Sequence, residues 1–134
     1  MKFEFEKEKM EALGIAGVFL FGSQALGTAD KVSDFDFAIM LKDRKVLTDY
    51  NQSNKIYDEL YDILSSQIKK LCNIDIVFIQ SADLQFRYHV VRDGILLYMG
   101  DQKIVSDFLE NTMESYADFA PLRRQFHEAI LQRI

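Results

Sequence analysis

Residues 16–41 read Ala-Gly-Val-Phe-Leu-Phe-Gly-Ser-Gln-Ala-Leu-Gly-Thr-Ala-Asp-Lys-Val-Ser-Asp-Phe-Asp-Phe-Ala-Ile-Met-Leu. Val18 to Phe21 is a short apolar run bounded by glycines, the pattern of a buried strand. Gly22 ends it, and Ser23 is placed as the N-cap of a short helix through Leu26, which Gly27 stops. Thr28 to Ser33 reads as a polar loop, and Asp34 to Leu41 as a second strand. Side chains two apart on a strand point the same way. Asp34 and Asp36 therefore share a face with Ala38 and Met40, while Phe35, Phe37, Ile39 and Leu41 take the other face as core. Two carboxylates so close repel, so one must take a proton or a cation must lie between them. All-oxygen ligands favour Mg²⁺ or Mn²⁺ over zinc. A glycine lets backbone approach an anion closely, and the helix start behind it offers free N–H groups. Either feature alone is commonly structural. Together they predict that a metal-bound nucleoside triphosphate is held and cut here.

Further along, residues 4–13 read as a short helix ending at Gly14, and residues 45–70 as one long helical stretch with Ile56, Leu60, Ile63, Leu64 and Ile68 along a stripe. Asn73 to Gln80 is a third strand, rich in β-branched residues. Asp75 sits inside it, where a lone carboxylate is costly. If this strand pairs with the second, Asp34, Asp36 and Asp75 converge, and such a triad can hold two metals about 3.5–4 Å apart. Ser81-Ala82-Asp83 starts a helix that reaches Asp93, with Gly94 as its C-cap, and Ile95 to Tyr98 is a brief fourth strand. Residues 101–120 are helical by periodicity, and Pro121 starts a last helix whose Leu122, Phe126 and Ile130 form a stripe. The reading is an α/β (α+β) fold, a small mixed β-sheet flanked by helices. Residues 1–134 form a single domain in this reading, with the helices of 101–134 packing on it or contacting a partner.

Composition narrows the classes. The chain has 134 residues, 49% hydrophobic and 28% charged, with one Pro and six Gly, an ordinary globular make-up. Cys72 is the one cysteine, so no internal disulfide can form, which agrees with a cytoplasmic protein. It reads as a small buried residue. No signal peptide or membrane-length apolar run is visible. The net charge of −5 and the lack of a basic stripe weigh against a long nucleic-acid substrate. His89 and His127, the two histidines, have no partner at ligand spacing and read as structural or solvated. Arg123, Arg124 and His127 stand too close together for an Arg-x₄₋₆-His ribonuclease motif. Arg87 and Arg92 read as a solvated helix face with local pairs.

The segment Gly22-Ser23-Gln24-Ala25-Leu26-Gly27-Thr28-Ala29, followed by Ser33-Asp34-Phe35-Asp36, resembles the signature of the DNA polymerase β-like nucleotidyltransferase superfamily. Small size, the late Asp75 and Arg87…Arg92-Asp93-Gly94-Ile95-Leu96-Leu97-Tyr98 are similar to its minimal members, the MNT or MntA-like antitoxins. The resemblance covers about residues 15–100. It implies the nucleotidyltransferase, polymerase β palm-like, fold. It implies that Gly22 and Ser23 hold the triphosphate of ATP, that Asp34 and Asp36 bind Mg²⁺, and that Asp75 binds a second Mg²⁺ and helps deprotonate the attacking hydroxyl. The implied activity is transfer of AMP to a tyrosine hydroxyl of a HEPN-type toxin, in a hetero-oligomer with that toxin. Gln24 and Leu26 depart from the pattern, since many relatives carry phosphate-directed arginines there. Two alternatives stay open: an antitoxin that neutralises by binding alone, and a nucleotidyltransferase for small molecules.

Overall fold

The structure, a computed structural model, describes residues 2–29, 34–68, 72–116, 124–125, 127–129 and 131. The order is α1 (Lys7–Ala12), β1 (Ile15–Phe21), α2 (Ser23–Leu26), β2 (Phe35–Leu41), α3 (Tyr50–Ser65), β3 (Ile74–Phe78), α4 (Leu84–Asp93), β4 (Ile95–Met99) and α5 (Gln102–Tyr116). Four strands form a mixed sheet in the order β3-β2-β1-β4. β1 runs antiparallel to β2 and to β4, whereas β2 and β3 are parallel. Parallel neighbours need a long crossover, and α3 supplies it.

Both faces of the sheet are covered, which explains why β1 and β2 are apolar almost throughout. On one face, Phe35, Phe37, Ile39 and Leu41 of β2 pack with Val18 and Leu20, Ile74 and Ile76, and Leu60 and Leu64 of α3. Phe3 closes this core with its ring edge-on to Phe37, 5.4 Å between centroids. On the other face, Ala38 and Met40 pack with Ala16 and Phe19, Val90 and Val91 of α4, and Val105, Leu109 and Met113 of α5.

Several local expectations need correction. The stretch from 45 is not one helix. Arg44–Thr48 is a 3₁₀ turn, and α3 begins afresh after Asp49, whose carboxylate accepts from Gln52 N at 3.2 Å. A capping aspartate satisfies an orphan N–H and so sets a helix start. β3 stops at Phe78 and turns through a 3₁₀ segment, Ile79–Ser81. The Gln80 side chain then takes the place of the next ladder residue, accepting from Leu41 N at 2.8 Å and donating to Leu41 O at 3.0 Å. Gly94 does end α4, but in extended rather than left-handed backbone. A Cβ there would lie 2.4 Å from Val90 O, so close backbone packing is what demands glycine. Cys72 is half-buried against the core rather than enclosed. Ser33, Pro121, Leu122, Arg123, Phe126 and Ile130 lie outside the described residues. Among the described residues, no helix is long and apolar enough to cross a membrane.

Gln125 is fully buried and ties the C-terminal segment to the sheet edge. It donates to Val91 O at 3.1 Å and to Gly94 O, and accepts from Leu96 N at 3.1 Å. Leucine there would strand these backbone groups at the α4–β4 junction. Buried polar groups left unpaired cost about 1–3 kcal/mol each. Urea denaturation of Gln125→Leu is expected to show a loss of roughly 2–4 kcal/mol with an unchanged m-value.

Candidate active site

The site follows from strand alternation. Phe35 and Phe37 are drawn into one core, so Asp36 must point to the opposite face of β2. Ile74 and Ile76 enter that same core, so Asp75 is turned the same way on β3. The parallel register sets Asp36 directly beside Asp75. Burial comes first in raising the Asp36 carboxyl above the usual carboxylate range. The charge of Asp75, a hydrogen bond to Asp75 and the charge of Asp34 follow, all in the same direction. The two carboxyls thus stand side by side across the β2–β3 pair.

On the other side, β1 brings Phe21 opposite Asp36 and delivers Gly22 next to it. Gly22 has φ +75°, a conformation that L side chains rarely adopt, and a Cβ there would lie 2.4 Å from Asp36 Oδ2. Backbone and carboxylate can meet at this point only because the residue is glycine. Phe21 meets Phe86 of α4 edge-on, 5.2 Å between ring centroids, which holds α4 against the end of β1. Gly22, not Ser23, is the N-cap of α2, and no side chain caps this helix. Ser23 is the first helical residue instead.

The structure therefore brings Asp36, Asp75 and Gly22 together, with Ser23 following directly in the chain. Asp34 stands just before β2 and adds its field at Asp36. The expected convergence of three carboxylates is not reached: among the described residues, no three carboxylate, thiol or imidazole side chains are grouped closely enough to hold a metal ion. A pair of carboxylates can nevertheless bind a hard divalent cation, because Mg²⁺ usually takes only one or two protein carboxylates and completes its shell with phosphate oxygens and water. A cation between Asp36 and Asp75 would relieve their repulsion.

Arg92 has the local pairing expected of it. Its guanidinium lies 2.8 Å from the Asp93 carboxylate and 5.6 Å from the Tyr88 ring centroid. It holds the Asp93 carboxyl below the usual range through their hydrogen bond. Arg87 departs from the expectation, since its Nε is buried without an acceptor among the described residues. His89 and His127 are exposed.

Residues 5–103 match the family described as Polymerase beta, Nucleotidyltransferase. No curated protein matches the chain in sequence. Among solved structures, a chain of a toxin–antitoxin with AMP-PNP is similar at a TM-score of 0.57 and 22% identity, covering 95% of this chain and 99% of that one. A chain of a mutant MntA–HpeT toxin–antitoxin gives 0.55 at 20% identity, over 95% and 99%. A chain of a tri-AMPylated Shewanella oneidensis HEPN toxin in complex with MNT antitoxin gives 0.52 at 21% identity, over 93% and 95%. At these identities the likeness is one of fold. The family match spans most of the chain, including Gly22, Ser23, Asp34, Asp36 and Asp75, and the chain belongs to the polymerase beta nucleotidyltransferase family.

Proposed function

We propose that this chain is a Mg²⁺-dependent nucleotidyltransferase that moves AMP from ATP to a tyrosine hydroxyl of a HEPN-type toxin, acting as its antitoxin in the cytoplasm. The observation that carries the reading is the Asp36–Asp75 pair set against the Gly22 backbone. Family membership supports the chemistry. The AMPylated toxin bound to an MNT antitoxin and the AMP-PNP found with a toxin–antitoxin, both in proteins of this fold, support the acceptor and the donor.

Each residue has a role in this reading. The Gly22–Ser23 backbone and hydroxyl cradle the triphosphate. Asp36 and Asp75, with Asp34 beside them, would hold Mg²⁺. Bound there, Mg²⁺ supplies neutralisation of phosphate charge during an in-line displacement. The Asp75 carboxylate accepts the proton of the attacking hydroxyl. The hydroxyl oxygen bonds to the α-phosphorus, the bond to the β-phosphate bridge breaks, and pyrophosphate leaves.

A second reading, neutralisation by binding alone, draws on α2. It carries Gln24 and Leu26 in place of cations, and Leu26 is 58% exposed. Intact mass of the HEPN-type partner after incubation with this chain and MgATP separates the readings. We expect gains of whole AMP units that disappear with Asp36→Ala. A stable complex without mass gain would establish binding alone, and neither result would direct attention to small-molecule acceptors.

Gly22→Ala forces a Cβ into the Asp36 carboxylate at a positive φ. Displacements of this size cost about 100-fold in rate, to be read as pyrophosphate release.

The raised Asp36 carboxyl gives a stability test independent of activity. A carboxyl whose folded pKa exceeds its unfolded one favours the fold below the unfolded pKa. That contribution is lost as pH rises through the folded value. At pH 7, without divalent cations, Asp36→Asn is therefore expected to melt above the native chain. The gap should close as pH falls through the folded pKa. Added Mg²⁺ should raise the melting temperature of the native chain and leave that of Asp36→Asn nearly unchanged.

A further inference from the structure

Four residues beyond Asp36, on the same face of β2, Met40 forms the floor of a separate pocket of about 260 Å³ between α4, α5 and the strand end. At roughly 3.3 Å per residue its floor lies about 13 Å from the carboxylate pair. Three cations line it: Lys42, Arg44 and Arg87. None of them forms an ion pair among the described residues, although the chain carries a net charge of −5. The carboxylate on its wall, Asp107, is already held by Lys103 at 2.9 Å.

Two buried donors also lack partners here. Among the described residues, Arg87 Nε has no acceptor, and neither does the hydroxyl of Thr112, a residue only 2% exposed. An unpaired buried polar group is costly, and a guanidinium fork matches phosphate oxygens. Met40 and Phe108 supply an apolar wall beside these donors. Cations without counter-ions, buried donors without acceptors and a small cavity call for one kind of occupant: an anion with several acceptor oxygens.

We infer that this pocket binds a phosphate group, anchored by Arg87 and Thr112 and screened by Lys42 and Arg44. It is distinct from the triphosphate position proposed at Gly22–Ser23, and does not depend on that proposal. Its source is either free phosphate or the phosphate of a nucleoside monophosphate whose ring rests on the apolar wall.

Isothermal titration of the full chain with inorganic phosphate and with 5′-AMP, at constant ionic strength, tests the inference. We expect saturable binding that Arg87→Gln weakens about tenfold or more, as for a lost charge-assisted bond. Thr112→Val should weaken it several-fold without lowering the melting temperature, because the hydroxyl it removes has no partner among the described residues. If Arg87→Gln does not fold, Thr112→Val decides. Asp36→Asn should leave this binding intact. Tighter binding of 5′-AMP would assign a nucleotide, and equal binding the phosphate group alone. Absence of saturable binding, or full binding by Thr112→Val, would overturn the inference. So would loss of binding in Asp36→Asn with retention in Arg87→Gln, which would place the anion at the carboxylate site.

Discussion

The register between β2 and β3 is the constraint on which the site depends. Four apolar side chains, Phe35, Phe37, Ile74 and Ile76, are buried on one face, and that burial fixes both strands at once. Each such side chain contributes about 1.5–3 kcal/mol, which outweighs the repulsion of two carboxylates side by side. A slip of one residue would turn every apolar side chain of the slipped strand to the wrong face. Asp36 and Asp75 are therefore held together by residues that touch neither substrate nor cation. The charge pair is a by-product of hydrophobic alternation, which gives it a rigid frame.

β1 completes the arrangement from the other side. Its antiparallel pairing brings Phe21 opposite Asp36, and the chain then reverses through Gly22 in a conformation closed to other residues. The Phe21–Phe86 contact ties this reversal to α4, so the backbone at Gly22 is braced from two directions. With Gln24 and Leu26 in place, α2 carries no cationic side chain. In the proposed reaction, charge compensation falls to backbone N–H groups and to the ion shared by the carboxylates.

Much of this was legible in the chain. The strand positions and the turning of Asp36 away from the Phe35–Phe37 core follow from period-two alternation, which is local and strong, whereas the pairing that sets Asp75 beside Asp36 stood only as a condition in that reading, and Asp34 falls just outside β2. The break before α3 carried a signal too, since Asp49 stands three residues before Gln52 in a capping-box spacing. The apolar stripe begins only at Ile56, so it gave no mark of where the helix starts. Ser23 looked like a cap by residue type, but the positive φ of Gly22 moved the helix start back by one residue. Gln80 and Gln125 had no sequence signal. Each satisfies backbone groups far away in the chain, and only the assembled sheet shows which groups need partners. Arg87 was equally opaque: its helix face is set by where α5 packs, not by its own neighbours.

One strand face thus carries two opposite electrostatic characters. Asp36 lies at one end of β2 and Lys42 just past the other, separated by the buried Ala38 and Met40. Six residues of extended chain span about 20 Å. The Debye length is about 8 Å at physiological ionic strength. Along the solvent side, the cations therefore cannot offset the carboxylate repulsion, and the carboxylates cannot satisfy the cations. Had the two groups been adjacent, they would have formed ion pairs and neither would need an external partner. The apolar spacer keeps the two ends apart, as the proposed cation site and the inferred anion site both require.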